Sequence, residues 1–397
     1  MADSKKYIGI YDTLEDVQDA LDNGQLSNPY VAKTMDNGQL DYNSLSPVDY
    51  SQYWCTYYPI DAQIWVKTSD DSYYPSMIEY KGGDGKISKA DFPNFYCAGS
   101  NQDNSGGAST IAKFKYFQFD SMSSSTNFQN AWADCSSLKE FPMVDLSNGT
   151  SFRSAWANCS SLTEFPALYL GKGTDFYYAW NNCSSLKEFP ILDLHNGTSF
   201  SGTWQGCSSL TEFPLLDLSS GTYFGNAWNG CSSLKEFPML DLHNGTNFYF
   251  TWGYCTSLAS FPALDLSAGI NFESAWFGCN ALTELPQLDL HNGTNFESAW
   301  YGCSALTTIH QLDLSSGTDF SNAWQFCSSL INLGGFGAIS ANFDLSPCTK
   351  LTVESLMNVI NQAATVTGKT MKLGSTNLAK LSDEQKAVAT SKGWTLA

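Results

Sequence analysis

One spacing constrains this chain more than anything else in it. From Phe128 to Phe320 a phenylalanine returns every 24 residues, followed four residues later by a tryptophan (Trp132 to Trp324) and seven later by a cysteine (Cys135 to Cys327), nine times without a slip. Self-similarity at a fixed period of this length is the mark of coils stacked on one another, each contacting only its neighbours. The unit reads F-x-x-A-W-x-x-C-S-S-L-x-E-F-P-x-L-D-L-x-x-G-T-x, and the copy from Phe152 to Asp175 shows nearly every element of it. Phe, Ala, Trp and Cys fall at i, i+3, i+4 and i+7, so the spacing predicts a short helical turn whose apolar face points inward.

Beyond that turn, Leu138, Phe141, Val144 and Leu146 predict a short strand, with Pro142 at a place where no ladder N–H is needed. The Asn-Gly-Thr or Ser-Gly-Thr segment predicts a turn in which Gly149 and its equivalents take positive φ. One unit cannot bury its own aromatic face, but stacking turns Phe152, Trp156, Cys159 and Leu162 into rungs of continuous ladders. The expected fold is a repeat solenoid, leucine-rich-repeat-like, with nine 24-residue repeats of short strand plus short helical turn. At the usual strand spacing of about 4.8 Å, nine coils extend roughly 40 Å. A 48-residue period runs beneath the first, since Lys139, Lys187 and Lys235 alternate with Thr163 and Thr211, and His195, His243 and His291 with Ser219, Ser267 and Ser315.

The array occupies residues 128–333. Ahead of it we expect an N-terminal anchoring segment (1–50), with a capped helix opening at Thr13 and a strand over 29–32, and a β-rich module (51–127). After it, residues 334–397 predict a small α/β cap with a helix over 352–364, a strand at 371–373, a helix opened by the capping box at Ser382 and a last strand at 394–396.

Composition excludes several functions. The balance of 39 Asp plus Glu against 20 Lys plus Arg, a net charge of -19 and a single arginine, Arg153, argue against nucleic acid or an anionic membrane as a partner. No apolar run reaches membrane-spanning length, so no membrane insertion is expected. The first residues lack a signal-peptide pattern, and synthesis in a cytoplasm without general secretory export is the expectation. Nine of the 12 cysteines hold one repeat position, which predicts a buried, reduced ladder of small hydrophobes rather than a disulfide framework, and no pair has C-x-x-C spacing.

No P-loop, nucleophile elbow or supported Ser/His/Asp set is present, so no enzyme, cofactor or resident metal is expected. His195, His243 and His291 recur on every second coil, about 10 Å apart, too far for a shared ion, and read as exposed turn residues. His310 stands where the repeat has proline and reads as a degenerate late copy. The column Asp145, Asp193, Asp217, Asp241, Asp265, Asp289 and Asp313 has two readings, acceptors for backbone N–H groups of the next turn or a carboxylate ladder for calcium. The Glu column from Glu140 to Glu284 reads as a solvated face. Asp84-Gly85-Lys86-Ile87 lacks the acidic partners of a calcium loop, and the Asn-Gly-Thr sequons at Asn148, Asn196, Asn244 and Asn292 read as turns. Tyr177, Tyr178, Tyr249 and Tyr301, on variable positions, are the candidate ligand contacts.

The segment A-W-x-x-C-S-S-L-x-x-F-P-x-L-D-L, first at residues 131–146, resembles the A-F-x-x-C-x-x-L-x-x-I repeats of BspA-type leucine-rich-repeat proteins, with tryptophan in place of the usual phenylalanine. That resemblance covers about half the chain and implies adhesins or surface interaction modules. The tail, from Leu351-Thr352-Val353 to Gly393-Trp394-Thr395-Leu396, looks like the ending of leucine-rich-repeat proteins of gut bacteria and their phages. Tyr7-Ile8-Gly9-Ile10-Tyr11, with Asn28-Pro29-Tyr30-Val31-Ala32 and Asp41-Tyr42-Asn43, is similar to the starts of structural proteins of crAss-like and related tailed phages. Together these imply a virion fibre or decoration subunit, bound to other virion proteins through its N-terminal region and turned toward a host surface glycan or protein. The alternative they leave open is a bacterial leucine-rich-repeat adhesin, and a homo-oligomer is compatible with either.

Overall fold

A computed structural model describes residues 126–397, apart from 137, 140 and 142–145, and before them only the backbone of four short strands. The expected helix at Thr13, most of the 51–127 module, Asp84 to Ile87, Glu140, Pro142, Val144 and Asp145 lie outside the described residues. The chain divides into two units, Met1–Gly173 with Asn182–Leu186, and Thr174–Asn181 with Lys187–Ala397.

In the first unit, β1 (Tyr30–Thr34) pairs antiparallel with β2 (Leu40–Pro47), and β3 (Cys55–Tyr57) with β4 (Gln118–Phe119). β1 covers the strand expected near Tyr30. Its coils show the repeat in small: Phe128 and Phe152 stack at 5.4 Å, Trp132 and Trp156 at 5.3 Å, and Phe141 sets its edge against both indoles. Phe152, Trp156, Cys159 and Leu162 are all fully buried.

The second unit shows how a 24-residue coil joins the next. Ala227, Asn229 and Cys231 donate their N–H groups three residues back, to the carbonyls of Phe224, Asn226 and Trp228. The N–H groups of Phe224, Asn226, Trp228 and Gly230 donate instead to Asn247, Tyr249, Thr251 and Gly253 of the following coil, at 2.7–3.0 Å. This corrects the expected helical turn. A helix would spend its N–H groups on its own carbonyls. Here successive β-turns use every second one and leave the alternates free to bind the neighbouring coil. The residues two and six places after each repeat phenylalanine carry positive φ, among them Asn226 at 60° and Gly230 at 76°, as a type II turn demands at its third position. The inward face at i, i+3, i+4 and i+7 is as expected, because this turn series returns side chains to one side much as a helix does.

Gly149 and its equivalents are a second correction, since none has positive φ. A Cβ on Gly245 would lie 2.4 Å from the ring of Phe248, so glycine is there to let the ladder phenylalanine lie on the backbone.

The core of the second unit is an aromatic stack. Successive indoles from Trp180 to Trp324 lie 6.2, 5.3, 6.3, 5.3, 5.8 and 5.5 Å apart. The two widest gaps precede Trp204 and Trp252, in the coils where Thr203 and Thr251 replace the repeat alanine. Their buried hydroxyls donate to the carbonyls of Phe176 and Phe224. The cysteines are free and buried, and each thiol from Cys207 to Cys327 donates to the tryptophan carbonyl of the preceding coil at 3.1–3.2 Å. Cysteine therefore fills the space of a small hydrophobe and also gives a second donor to carbonyls such as those of Trp204 and Trp228, which already accept an N–H within their own coil.

Toward the C-terminus short strands form, β5 (Glu284–Leu285), β6 (Thr308–Ile309) and β7 (Asn332–Leu333), parallel and in 24-residue register. β6 and β7 lie in the two coils where the repeat proline is lost, while Pro286 still follows β5. The N–H of His310 donates to Leu285 at 3.0 Å and that of Gly334 to Ile309 at 2.9 Å, bonds proline cannot make. His310 is thus a gain of pairing as well as a departure from the repeat, and its ring meets Glu284 at 2.5 Å.

The last segment carries β8 (Phe343–Asp344), α1 (Val353–Gln362), β9 (Lys369–Lys372), α2 (Gly374–Leu378), α3 (Asp383–Ser391) and β10 (Trp394–Leu396), with a parallel sheet in the order β10-β9-β8. α1 falls in the expected place and Thr352 caps it; the Ser382–Gln385 box caps α3 as expected, while α2 and β8 were not expected. α1 closes the open edge of β7. The Ser355 hydroxyl accepts from the N–H of Leu333 and donates to the Ile331 carbonyl, Asn358 donates to Leu333, and Gln362 to Gly334. Polar side chains on one face of α1 thus stand in for a further coil, while Phe336 stacks on Trp324 at 4.8 Å.

Candidate binding surface

The turns that bind coil to coil also carry outward side chains. Asn or Asp just before the repeat phenylalanine accepts the N–H two residues on, as Asp175 does for Tyr177 and Asn247 for Tyr249, which fixes where those tyrosines leave the backbone. Tyr177 and Tyr178 form a local edge-to-face pair at 4.4 Å. Tyr249 and Tyr301 belong elsewhere in the unit, to a larger aromatic surface that the sequence reading missed.

That surface runs through Phe250, Tyr254, Phe277, Tyr301 and Phe326. Phe250 lies 5.5 Å from Phe277, Tyr254 lies 5.1 Å from Phe277, Phe277 and Tyr301 stack at 4.6 Å within 4° of parallel, and Phe326 meets Tyr301 edge-on at 5.1 Å. Tyr249 joins through Phe250 at 5.0 Å. Tyr254 and Phe326 are 49% and 53% exposed. All four expected contacts, Tyr177, Tyr178, Tyr249 and Tyr301, are half-buried in the structure.

Residue type at the left-handed positions sets this surface apart. Phe250, Tyr254 and Phe326 of the surface, and Tyr178 of the local pair, have φ of 51°, 56°, 65° and 55°, at repeat positions where other coils carry Gly202, Gly206, Gly230, Asn158 or Asn182. Bulky side chains are disfavoured in the left-handed region, at a cost of about 1–3 kcal/mol each. The sequence held a signal for this, because these aromatics interrupt columns otherwise filled by glycine, asparagine, aspartate and serine.

The polar columns are locally satisfied. Asp217 and Asp265 each accept the hydroxyl and the N–H of Ser219 and Ser267, and those bonds hold the carboxyls below their usual range. In the alternate coils Asp193, Asp241 and Asp289 face His195, His243 and His291 at 2.5–2.7 Å, and the bond to Asp193 raises the His195 pKa. Each of these aspartates is thus turned to its own coil, and among the described residues no group of three or more His, Cys, Asp or Glu is placed to hold a metal ion. Asn148 accepts from Lys172, and Asn244 and Asn292 donate to the Ser219 and Ser267 carbonyls, so these sequon asparagines tie neighbouring coils together. Among the described residues no helix is long and apolar enough to cross a membrane.

No family model and no curated protein matches this chain. Its neighbours among solved structures are leucine-rich-repeat proteins. A leucine-rich cell surface protein of Faecalibacterium prausnitzii is 18% identical over 58% of this chain and 76% of its own, with a TM-score of 0.28. A leucine-rich-repeat protein of Bacteroides ovatus is 15% identical over 69% and 88%, TM-score 0.28, and an internalin of Listeria monocytogenes is 13% identical over 81% and 92%, TM-score 0.28. Likeness at this level carries nothing about ligand or activity.

Proposed function

We infer that this protein is a non-enzymatic attachment module, a leucine-rich-repeat-like solenoid of nine copies that presents an aromatic surface to a glycan or protein on another cell. The observation that carries this reading is the placement of Tyr254, Phe250 and Phe326 in left-handed conformations that glycine or asparagine would occupy without strain. Local strain retained where it contributes no burial to the core points to use of the exposed rings. Aromatic rings are suited to that use, since they offer large rigid contact area at little entropic cost.

Two carriers fit such a module. The residues that resemble BspA-type repeats lie in the described coils and form their ladders, which supports a bacterial surface adhesin. The segments similar to phage structural proteins support a virion fibre or decoration subunit, with the N-terminal region holding other virion proteins. The test has two arms. Binding of the full chain to a glycan panel and to intact bacterial cells should fall at least tenfold in a Tyr254→Ser/Phe326→Ser variant, and unchanged binding would overturn the assignment of the site. Immunogold labelling of cell envelopes and purified particles decides the carrier, by which of the two it marks.

A further inference from the structure

A different face of the second unit carries a stripe of apolar side chains in water. Ile191, Leu215 and Met239 occupy the same repeat position on three successive coils and are 74%, 66% and 60% exposed. The backbone bonds from Thr211 N–H to Lys187 and from Lys235 N–H to Thr211 hold these coils in register, so the three side chains stand in a row at about the 4.8 Å spacing of paired strands. The row ends at the next coils, where the position is filled by Ala263, Gln287 and Gln311.

Carboxylates border it on both sides. Glu188, Glu212 and Glu236 form one column and Asp193, Asp217 and Asp241 the other, all exposed, against only Lys187 and Lys235 as full cations. His195 and His243 face Asp193 and Asp241. Along the glutamate column the surface sinks into a depression of about 320 Å³ whose walls include Glu212, Lys235, Glu236 and Pro238.

The geometry points to a docking site for a basic amphipathic helix of a partner protein, lying along the stacking direction with its apolar side chains on the stripe and its lysines or arginines over the two acidic columns. Pitch and charge both select this occupant. A helix brings an apolar residue to one face about every 5.4 Å, close to the coil spacing, so residues at i, i+3 or i+4, and i+7 meet Ile191, Leu215 and Met239 in turn. An extended strand repeats a face only every 6.6–6.8 Å or so and falls out of step by the third coil. A second copy of this chain would bring six more carboxylates against these six, within a molecule of net charge -19. An anionic lipid surface or a nucleic acid is repelled for the same reason.

The experiment uses the full chain and a synthetic helical peptide with leucine at i, i+3, i+4 and i+7 and lysine on the flanks, titrated by calorimetry. The expected result is saturable one-to-one binding that weakens as salt rises. It should weaken at least tenfold in a Leu215→Ser/Met239→Ser variant, whose substitutions sit in water and leave the core intact, and stay unchanged in Tyr254→Ser/Phe326→Ser. A scrambled peptide of the same composition binding equally well would overturn the proposal, because attraction would then be charge alone. Absence of binding would overturn it too, as would concentration-dependent dimerisation of the chain abolished by the Leu215→Ser change. None of these outcomes bears on the aromatic surface, so the two assignments stand or fall separately.

Discussion

Replacing Tyr254 or Phe326 by asparagine tests whether the aromatic surface is kept for use rather than for stability. Asparagine accepts left-handed backbone readily, so the substitution recovers about 1–2 kcal/mol of conformational cost. Against that stands the lost packing. Tyr254 is 49% exposed and meets Phe277 at 5.1 Å; Phe326 is 53% exposed and meets Tyr301 at 5.1 Å. Half the burial of such a side chain is worth about 1 kcal/mol, and each ring pair about 0.5–1.5 more, one pair for Phe326 and a second, looser one for Tyr254 with Phe250 at 6.3 Å. The terms nearly cancel, and each variant should unfold within about 1 kcal/mol of the parent in urea monitored by circular dichroism. Phe272→Ala, deleting a fully buried ring of the same array, should cost about 3–5 kcal/mol. The reverse change, Asn322→Phe at a φ of 57°, should cost about 1–2 kcal/mol by the same logic. A loss above about 2 kcal/mol for either asparagine variant, beyond the packing estimate, would make the exposed rings structural and remove the strain argument for function.

Trp228→Ala should lose about 3–5 kcal/mol, whereas Trp228→Phe should lose far less than its volume suggests, because the buried indole N–H has no hydrogen-bond partner and its removal relieves a desolvated donor; equal losses in urea titrations would refute this. Gly245→Ala should destabilise by more than its helix-free context implies, since its Cβ would meet the Phe248 ring, and a neutral result by thermal melting would show the ring can move. Burial pushes the Cys255 thiol up to about 12 and the Cys231, Cys279 and Cys303 thiols well above their ordinary value. A raised folded pKa contributes stability that is present below the unfolded value of about 9 and is lost as pH rises toward the folded one, so the array should weaken above pH 9; flat unfolding midpoints from pH 8 to 11 would count against it. The same thiols should resist iodoacetamide in the native chain and react once it is unfolded, as read by mass spectrometry.

The ladders were legible because burial acts on every copy alike: Phe152, Trp156, Cys159 and Leu162 hold identical places in coil after coil, and averaging over nine copies exposes the inward positions. The cap at Ser382 was legible because a capping side chain acts within three residues of itself. What periodicity could not distinguish was helix from successive turns, as both return side chains to one face. The deciding residues were Gly206, Gly230, Gly278 and Gly302 with Asn158 and Asn182, a column tolerant of positive φ that reads as ordinary surface unless backbone preference is asked of each position. The aromatic surface hid for a related reason. Tyr249 and Tyr301 were visible as tyrosines on variable positions, whereas Phe250, Phe277 and Phe326 look like core residues until the turn geometry places them outside. The stripe at Ile191, Leu215 and Met239 follows proline in a strand-like segment, where an apolar residue is the ordinary expectation for the interior.

The unequal steps of the tryptophan stack also make it an optical object. Indoles stacked 5.3 Å apart exchange excitation far faster than they emit, and dipolar coupling falls with the cube of separation, so the wider gaps before Trp204 and Trp252 set the Trp204–Trp228 pair apart from Trp180 before it and from the run Trp252 to Trp324 after it. Absorbed light should migrate along the coils and emerge depolarised, with a paired circular-dichroism band from the indole transitions. The coupling weakens at the two coils where Thr203 and Thr251 place a buried hydroxyl in the column of alanines, so the sequence marks the breaks in the chromophore array.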